Sequence, residues 1–175
     1  MSDPFRLRVL KALCATLKEI APVNGYHSDL SDFTDTDGVV SERIIRGRDR
    51  FGEGDALPFI SVLEDFRPNE QKQSNGGQTS ATNEWKLLVQ GFVQDDPIHK
   101  TDPAYRLAAD VVRCLAKQKK DKYNILGQGN SSPCVYALKM DHPVIRPADG
   151  EISSVAFFFL NVTLTLVEDL ENPFA

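Results

Sequence analysis

The chain has 175 residues, 41% apolar and 26% charged, with 20 basic residues against 25 acidic ones and a net charge of −5. That length suits one domain whose core needs neither disulfides nor metal. The acidic balance argues against non-specific nucleic-acid binding as the main activity, since that depends on clustered lysine and arginine, although a local basic patch is compatible with it.

The longest apolar run, residues 155–160, is far short of the roughly 20 residues that span a bilayer. The opening M-S-D-P-F-R-L-R contains no signal-peptide hydrophobic stretch, so cytoplasmic synthesis and no membrane partner are expected.

Residues 4–21 place Leu10, Leu13, Leu17 and Ile20 three and four apart, with Cys14 and Ala21 alongside and Arg8, Lys11, Lys18 and Glu19 opposite. This period of 3.6 predicts an amphipathic helix, capped by Asp3, with Pro4 at its first position and Pro22 and Gly25 closing it. A short strand is predicted over 26–30. Residues 31–38, S-D-F-T-D-T-D-G, form a carboxylate-rich turn. Asp35 and Asp37 have calcium-loop spacing, but the closing glutamate of such a loop is missing, so a solvated turn is expected.

Residues 39–46 and 57–64 read as strands on either side of the loop R-G-R-D-R-F-G-E-G-D-A-L-P, residues 46–58. Arg46, Arg48 and Arg50 alternate there with Asp49, Glu53 and Asp55. Guanidinium forks in a glycine-rich loop suit phosphate. The interleaved carboxylates favour salt bridges between subunits instead. Residues 65–83 are almost devoid of apolar side chains. They are read as the long tip of a hairpin that orders on a partner, with a plain linker as the alternative.

Trp85, Leu87, Val89 and Val93 alternate with Glu84, Lys86, Gln90 and Gln94, a half-buried strand of period two. Thr101-Asp102-Pro103 starts a second helix with a cap and a proline. Its apolar arc runs from Tyr105 through Ala108, Ala109, Val111, Val112 and Leu115 to Ala116, wider than one sheet face needs. Part of it is therefore expected to meet a second element or a neighbouring subunit. Arg106, Asp110, Arg113 and Lys117 form its charged stripe, and Lys117, Lys119, Lys120 and Lys122 crowd its end, where the helix dipole favours cations.

A strand follows at 135–140, then the longest strand signal of the chain at 152–168. Ala156, Phe158, Leu160, Val162, Leu164 and Leu166 make one apolar face. The other begins Val155, Phe157, Phe159 and turns polar at Asn161, Thr163 and Thr165. One face is thus core throughout and the other is covered over its first half only. The chain closes on an arm tipped by Phe174.

This order predicts an α+β fold, an antiparallel or mixed β-sheet with two amphipathic helices packed on one face and a long hairpin loop. A single domain is expected over 1–175, with a flexible loop at about 65–83 and a C-terminal arm at about 169–175.

Cys14, Cys114 and Cys134 are far apart without C-x-x-C spacing, and read as small buried hydrophobes. His27, His99 and His142 are equally scattered, so no metal is expected. There is no G-x-S-x-G and no G-K-[ST]. Gly127-Gln128-Gly129 reads as a turn, and Asp95-Asp96 before Pro97 as a solvated strand end. No catalytic residue, no cofactor and no enzymatic activity are expected.

Five pieces in order carry a resemblance: Asn24-Gly25-Tyr26 after the first helix, the loop from Arg46 to Pro58, W-K-L-L-V-Q-G-F at 85–92, D-P-A-Y-R-L-A-A-D-V at 102–111, and a closing apolar strand with Asn172-Pro173. This layout resembles the tail terminator (tail completion) proteins of long-tailed bacteriophages. Residues 65–83 and 123–147 lie outside it.

The resemblance implies an α+β protomer that assembles into a ring, a hexamer by the family's pattern, and caps the head-proximal end of the tail tube. Tube polymerisation ends there and a joint to the head is provided, with no catalysis. Implied partners are further copies of the chain, the tail tube protein and a head neck or connector protein. Genomic DNA would pass through the channel without specific binding. The location would be the virion tail, after synthesis in the host cytoplasm.

A ring needs two different patches per subunit. Candidates are Arg46, Arg48, Asp49, Arg50, Glu53 and Asp55 of the loop, and Phe174 of the arm. A neck or head-closure protein is the alternative of the same class. A nucleic-acid-binding module using Arg46, Arg48, Arg50 and the lysines near position 120 is the alternative of another class.

Overall fold

The computed structural model describes residues 3–48, 51, 54–65, 79–129 and 131–175. Helix α1, Phe5–Lys18, buries Phe5, Val9, Leu13, Cys14 and Leu17. It is shorter than the 4–21 expected, and Asp3 does not cap it. Pro4 occupies the capping position in extended conformation with no side-chain bond, and the Asp3 carboxylate accepts from Lys11 Nζ at 2.5 Å instead. The first free N–H of the helix, that of Phe5, donates to the Pro173 carbonyl at 2.8 Å. The C-terminal arm therefore does what a capping side chain would do.

Beyond α1, Pro22–Asn24 form one 3₁₀ turn, ended by Gly25 at φ +78°. The strand expected at 26–30 is absent because its backbone has other partners. His27 and Ser28 N–H donate to the buried Asp110 carboxylate at 3.0 and 2.7 Å, and Leu30 N–H to Ile20 O at 2.7 Å.

Strands β1 (Phe33–Thr34) and β2 (Val40–Ser41) make a small antiparallel pair around the carboxylate turn. Asp35 Oδ1 there accepts the N–H groups of Asp37 and Val39, both at 2.9 Å. The expected strand 39–46 is thus split, its second part being β3, Ile44–Arg46.

The main sheet continues with β4 (Phe59–Glu64), β5 (Ser80–Val93), β6 (Cys134–Met140), β7 (Val144–Arg146) and β8 (Ala156–Asp169). Its order is β3-β4-β5-β8-β6, with β7 also on β8. Only β3–β4 is parallel, so the sheet is mixed. The spine is the pair β5–β8, in unbroken register from Ser80↔Asp169 to Val93↔Ala156. As the sequence suggests, β4 and β5 pair as two arms of a hairpin. Of the expected 65–83 loop, Ser80 to Asn83 belong to β5 instead, paired with β8 from Ser80↔Asp169 onward, and residues 66–78 lie outside the described ones.

Helix α2, Asp102–Gln118, starts on Pro103, with Thr101 at its N-cap position but making no side-chain capping bond. It packs on β5 and β8, and α1 packs on α2 and β3. Both helices cover one face, where Trp85, Leu87 and Val89 of β5 meet Phe158, Leu160, Val162, Leu164 and Leu166 of β8. The fold is α+β, with a mixed sheet and two helices on one side of it. On the opposite face a smaller cluster of Phe59, Phe92, Val155 and Phe157 covers the early half of β8 only. The same strand exposes Asn161 further along.

Candidate interaction site

Parallel neighbours cannot be joined by a tight turn, so the chain between β3 and β4 has to return, and of its described residues Phe51 and Leu57 pack on the outer face of the sheet. Gly47 begins the return at φ +74°, a left-handed conformation suited to glycine, and its N–H donates to Val62 O at 2.9 Å. Phe51 then stacks on Phe92 with ring centroids 5.4 Å apart. Leu57 and Ile45 join the same outer cluster.

Arg48 and Asp55 meet each other. Arg48 Nη1 donates to Asp55 Oδ1 at 2.6 Å, with the Asp55 side chain only 13% exposed. The Arg48 guanidinium lies 5.3 Å from the Phe59 ring centre, and its carbonyl accepts from Ser61 Oγ. The two charges assigned to a contact between subunits are therefore bonded to each other across the loop. Asp49, Arg50 and Glu53 lie outside the described residues.

Arg43, which sequence reasoning did not single out, fixes the far end. It donates to Leu57 O at 2.7 Å and lies 4.4 Å over the Phe33 ring. Nothing in its sequence context signals this, because both contacts come from residues brought near by the fold.

Arg46 points elsewhere. It is exposed on β3, where it borders a groove of about 230 Å³ with Lys11, Cys14, Lys18 and Glu42. Burial pushes the Cys14 thiol up, against the pull of Arg46 and Lys18. Lys18 bridges Asp32 and Glu42, each at 2.8 Å.

Phe174 is on the arm, 54% exposed. The arm is folded back on its own chain. Besides the Pro173 carbonyl on Phe5, the Arg8 guanidinium donates to Ala175 O and Leu170 N–H to Thr79 O at 2.9 Å. Beneath it, Arg6 grips Glu168 with Nε on Oε1 and Nη2 on Oε2, both at 2.8 Å. Asn83 Nδ2 adds a third bond at 2.9 Å. Burial works against ionisation of Glu168, but the Arg6 and Asn83 hydrogen bonds outweigh it and hold the carboxyl below its ordinary value.

The wide apolar arc of α2 divides. Ala104, Leu107, Ala108, Val111, Cys114 and Leu115 are buried, whereas Ala109 and Ala116 are exposed and Tyr105 is 61% exposed. Val112 lies between, half-buried. Tyr105, Ala109 and Ala116 thus form one outward apolar strip, with Val112 at its edge packed partly against the core. Beside it run Arg106, Arg113, Lys117 and Lys120, all exposed.

The acidic pair at the end of β5 behaves as a strand end. Asp95 Oδ1 accepts Ala156 N–H at 2.5 Å, and Asp96 Oδ1 accepts the N–H groups of Ile98 and His99 at 2.8 and 2.7 Å. Among the described residues no helix is long and apolar enough to cross a membrane. Neither a protein-family model nor a curated protein matches the chain.

Proposed function

We propose that this chain is a virion assembly protein of the tail terminator type. In this reading copies of it close into a ring, a hexamer by the resemblance, on the head-proximal end of a phage tail tube. The ring ends tube growth and offers the joint to the head. Work is done by fitting surfaces together, and no substrate is transformed.

The observation that carries this reading is the outward apolar strip of α2. Tyr105, Ala109 and Ala116 lie along one line of a helix whose remaining apolar positions are buried or, like Val112, packed partly against the core. Such a strip on a helix that has spent its core-facing side is available to another protein, with Tyr105 as its one large exposed side chain. Ala109 and Ala116 let a neighbouring backbone approach closely, beside the ring of Tyr105. The outer cluster around Phe51 and the Arg48–Asp55 pair supplies a shaped second patch on the other side of the sheet, as a heterologous ring contact requires.

Native mass spectrometry of the purified chain, alone and with tail tube protein, tests the assembly. A closed ring in either sample is expected, and a strict monomer in both overturns the reading. Deletion of the coding region from a parent phage then separates the two joints. Overlong or headless tails support a terminator, and normal tails with leaking heads assign the chain to the neck instead.

A further inference from the structure

We propose that the outer face of α2 is a docking strip for the phosphate backbone of duplex nucleic acid, gripped without sequence preference. The inference rests on this strip alone and stands apart from the ring.

Arg106, Arg113, Lys117 and Lys120 follow at intervals of seven, four and three residues. At 3.6 residues per turn these intervals hold all four within one narrow stripe, about 20 Å long. Lys120 extends the stripe past the helix end, its N–H bonded to Lys117 O at 3.1 Å. Lys119 and Lys122 flank it, both exposed.

Among the described residues none of these six cations forms a salt bridge. Elsewhere Arg6, Lys11, Lys18, Arg48 and Lys139 are each paired with a carboxylate. The other exposed cations without a salt bridge among the described residues, such as Arg46, Lys86, Lys100 and Arg146, lie scattered along the sequence rather than on one helix face. Asp102, exposed at the start of α2 one turn before Arg106, bounds the stripe at one end, and the two acids that follow are turned to backbone N–H groups. Asp110 is buried and holds those of His27 and Ser28, and Asp121 accepts that of Tyr123 at 3.3 Å.

Two of the cations are already set in place. Arg113 Nη1 donates to Gly25 O at 2.6 Å, and Arg113 and Lys117 lie 4.9 and 4.4 Å over the Tyr26 ring. Cations held this way lose less side-chain freedom on binding.

Compensation of the helix dipole accounts for cations only in the last turn, and Arg113 is also held by Gly25 O and Tyr26. That leaves Arg106, in the field of Asp96, without a bonded partner of its own among the described residues. A stripe of like charge without interleaved acceptors gives no register for particular acidic side chains, but it matches a phosphate backbone, whose charge repeats evenly. The remainder of a chain carrying −5 repels the same polyanion and confines it to this strip.

The test is fluorescence anisotropy of a labelled random-sequence duplex with the full chain across a salt series. Contact with three or four phosphates gives a slope of log K against log salt of about −3. The pair Arg106→Gln with Lys120→Gln is expected to make that slope shallower by about 2. Lys139→Gln, on another face, should leave it unchanged. The charge-keeping pair Arg106→Lys with Lys120→Arg should keep the wild-type slope, and equal weakening by it overturns the proposal. So does absence of binding at about 25 mM salt, where phosphate contacts are strongest, or a wild-type slope in the glutamine pair. Preference for a polyglutamate peptide over the duplex also overturns it, in favour of an acidic protein partner.

Discussion

Gly91 lies opposite Phe158 in the β5–β8 register, and a Cβ there would fall 2.1 Å from Phe158 Cε1. The ring cannot yield easily, because Phe158 is fully buried under the helices. Gly91→Ala is therefore expected to cost about 2 to 3 kcal/mol by overpacking, read as a lower midpoint in chemical denaturation with an unchanged slope. The alternation of residues 84–94 reveals a strand but not which ring faces its glycine, since that depends on the pairing register. Glu168 gives a second test. With its native pKa held below the ordinary 4.5, its contribution is fully present above that value and is lost as pH falls through the depressed native one. Glu168→Gln is expected to lower stability by about 1 kcal/mol at neutral pH, a modest figure because the Arg6 side chain is 41% exposed. The gap should close as pH falls below the ordinary carboxylate range. Denaturation curves of both proteins at neutral and acidic pH check this, and a constant gap would show the carboxylate is not held by Arg6 and Asn83.

The loop between β3 and β4 shows how far a local pattern reads at the scale of elements. Two strands flanking an arginine-glycine loop are visible in the residues, and so is the half-covered outer face of β8, because Phe157 and Phe159 give way to Asn161 and Thr163 along one side. The parallel pairing of β3 with β4 is not, since both strands are short and either direction satisfies their apolar residues. The partner of Arg48 is equally hidden. Opposite charges seven residues apart serve a subunit contact or an internal bond alike, and only the path of the loop across Phe92 and Phe59 brings Asp55 to it. The missing strand at 26–30 and the Asp3 cap fail for the same reason, their backbone partners being Asp110 and the C-terminal arm, both remote in sequence. Arg48→Glu would set a carboxylate beside the largely buried Asp55. It is expected to lower stability by about 1 to 2 kcal/mol and to speed proteolytic cleavage within 47–58 ahead of global unfolding. Unchanged stability would mean that the loop holds without this pair.

For the whole molecule the decisive region is α2, whose outward side carries two strips of different chemistry side by side. The apolar strip is proposed to meet another copy, the basic one a phosphate backbone, and one substitution separates them. Ala109 is exposed in the middle of the helix, so arginine there is tolerated by the fold, with an expected effect on stability within about 0.5 kcal/mol. A bulky charge on the apolar strip blocks close approach of a neighbour while adding a cation next to Arg106 and Arg113. Ala109→Arg is therefore expected to abolish rings in native mass spectrometry and to leave duplex affinity at low salt equal to or above that of the wild type. Rings that persist would move the subunit contact away from α2, to the loop at 47–58 or the Phe174 arm. Loss of rings together with loss of duplex binding would instead tie the two strips to one another and overturn the reading of the basic strip as a surface that grips nucleic acid by itself.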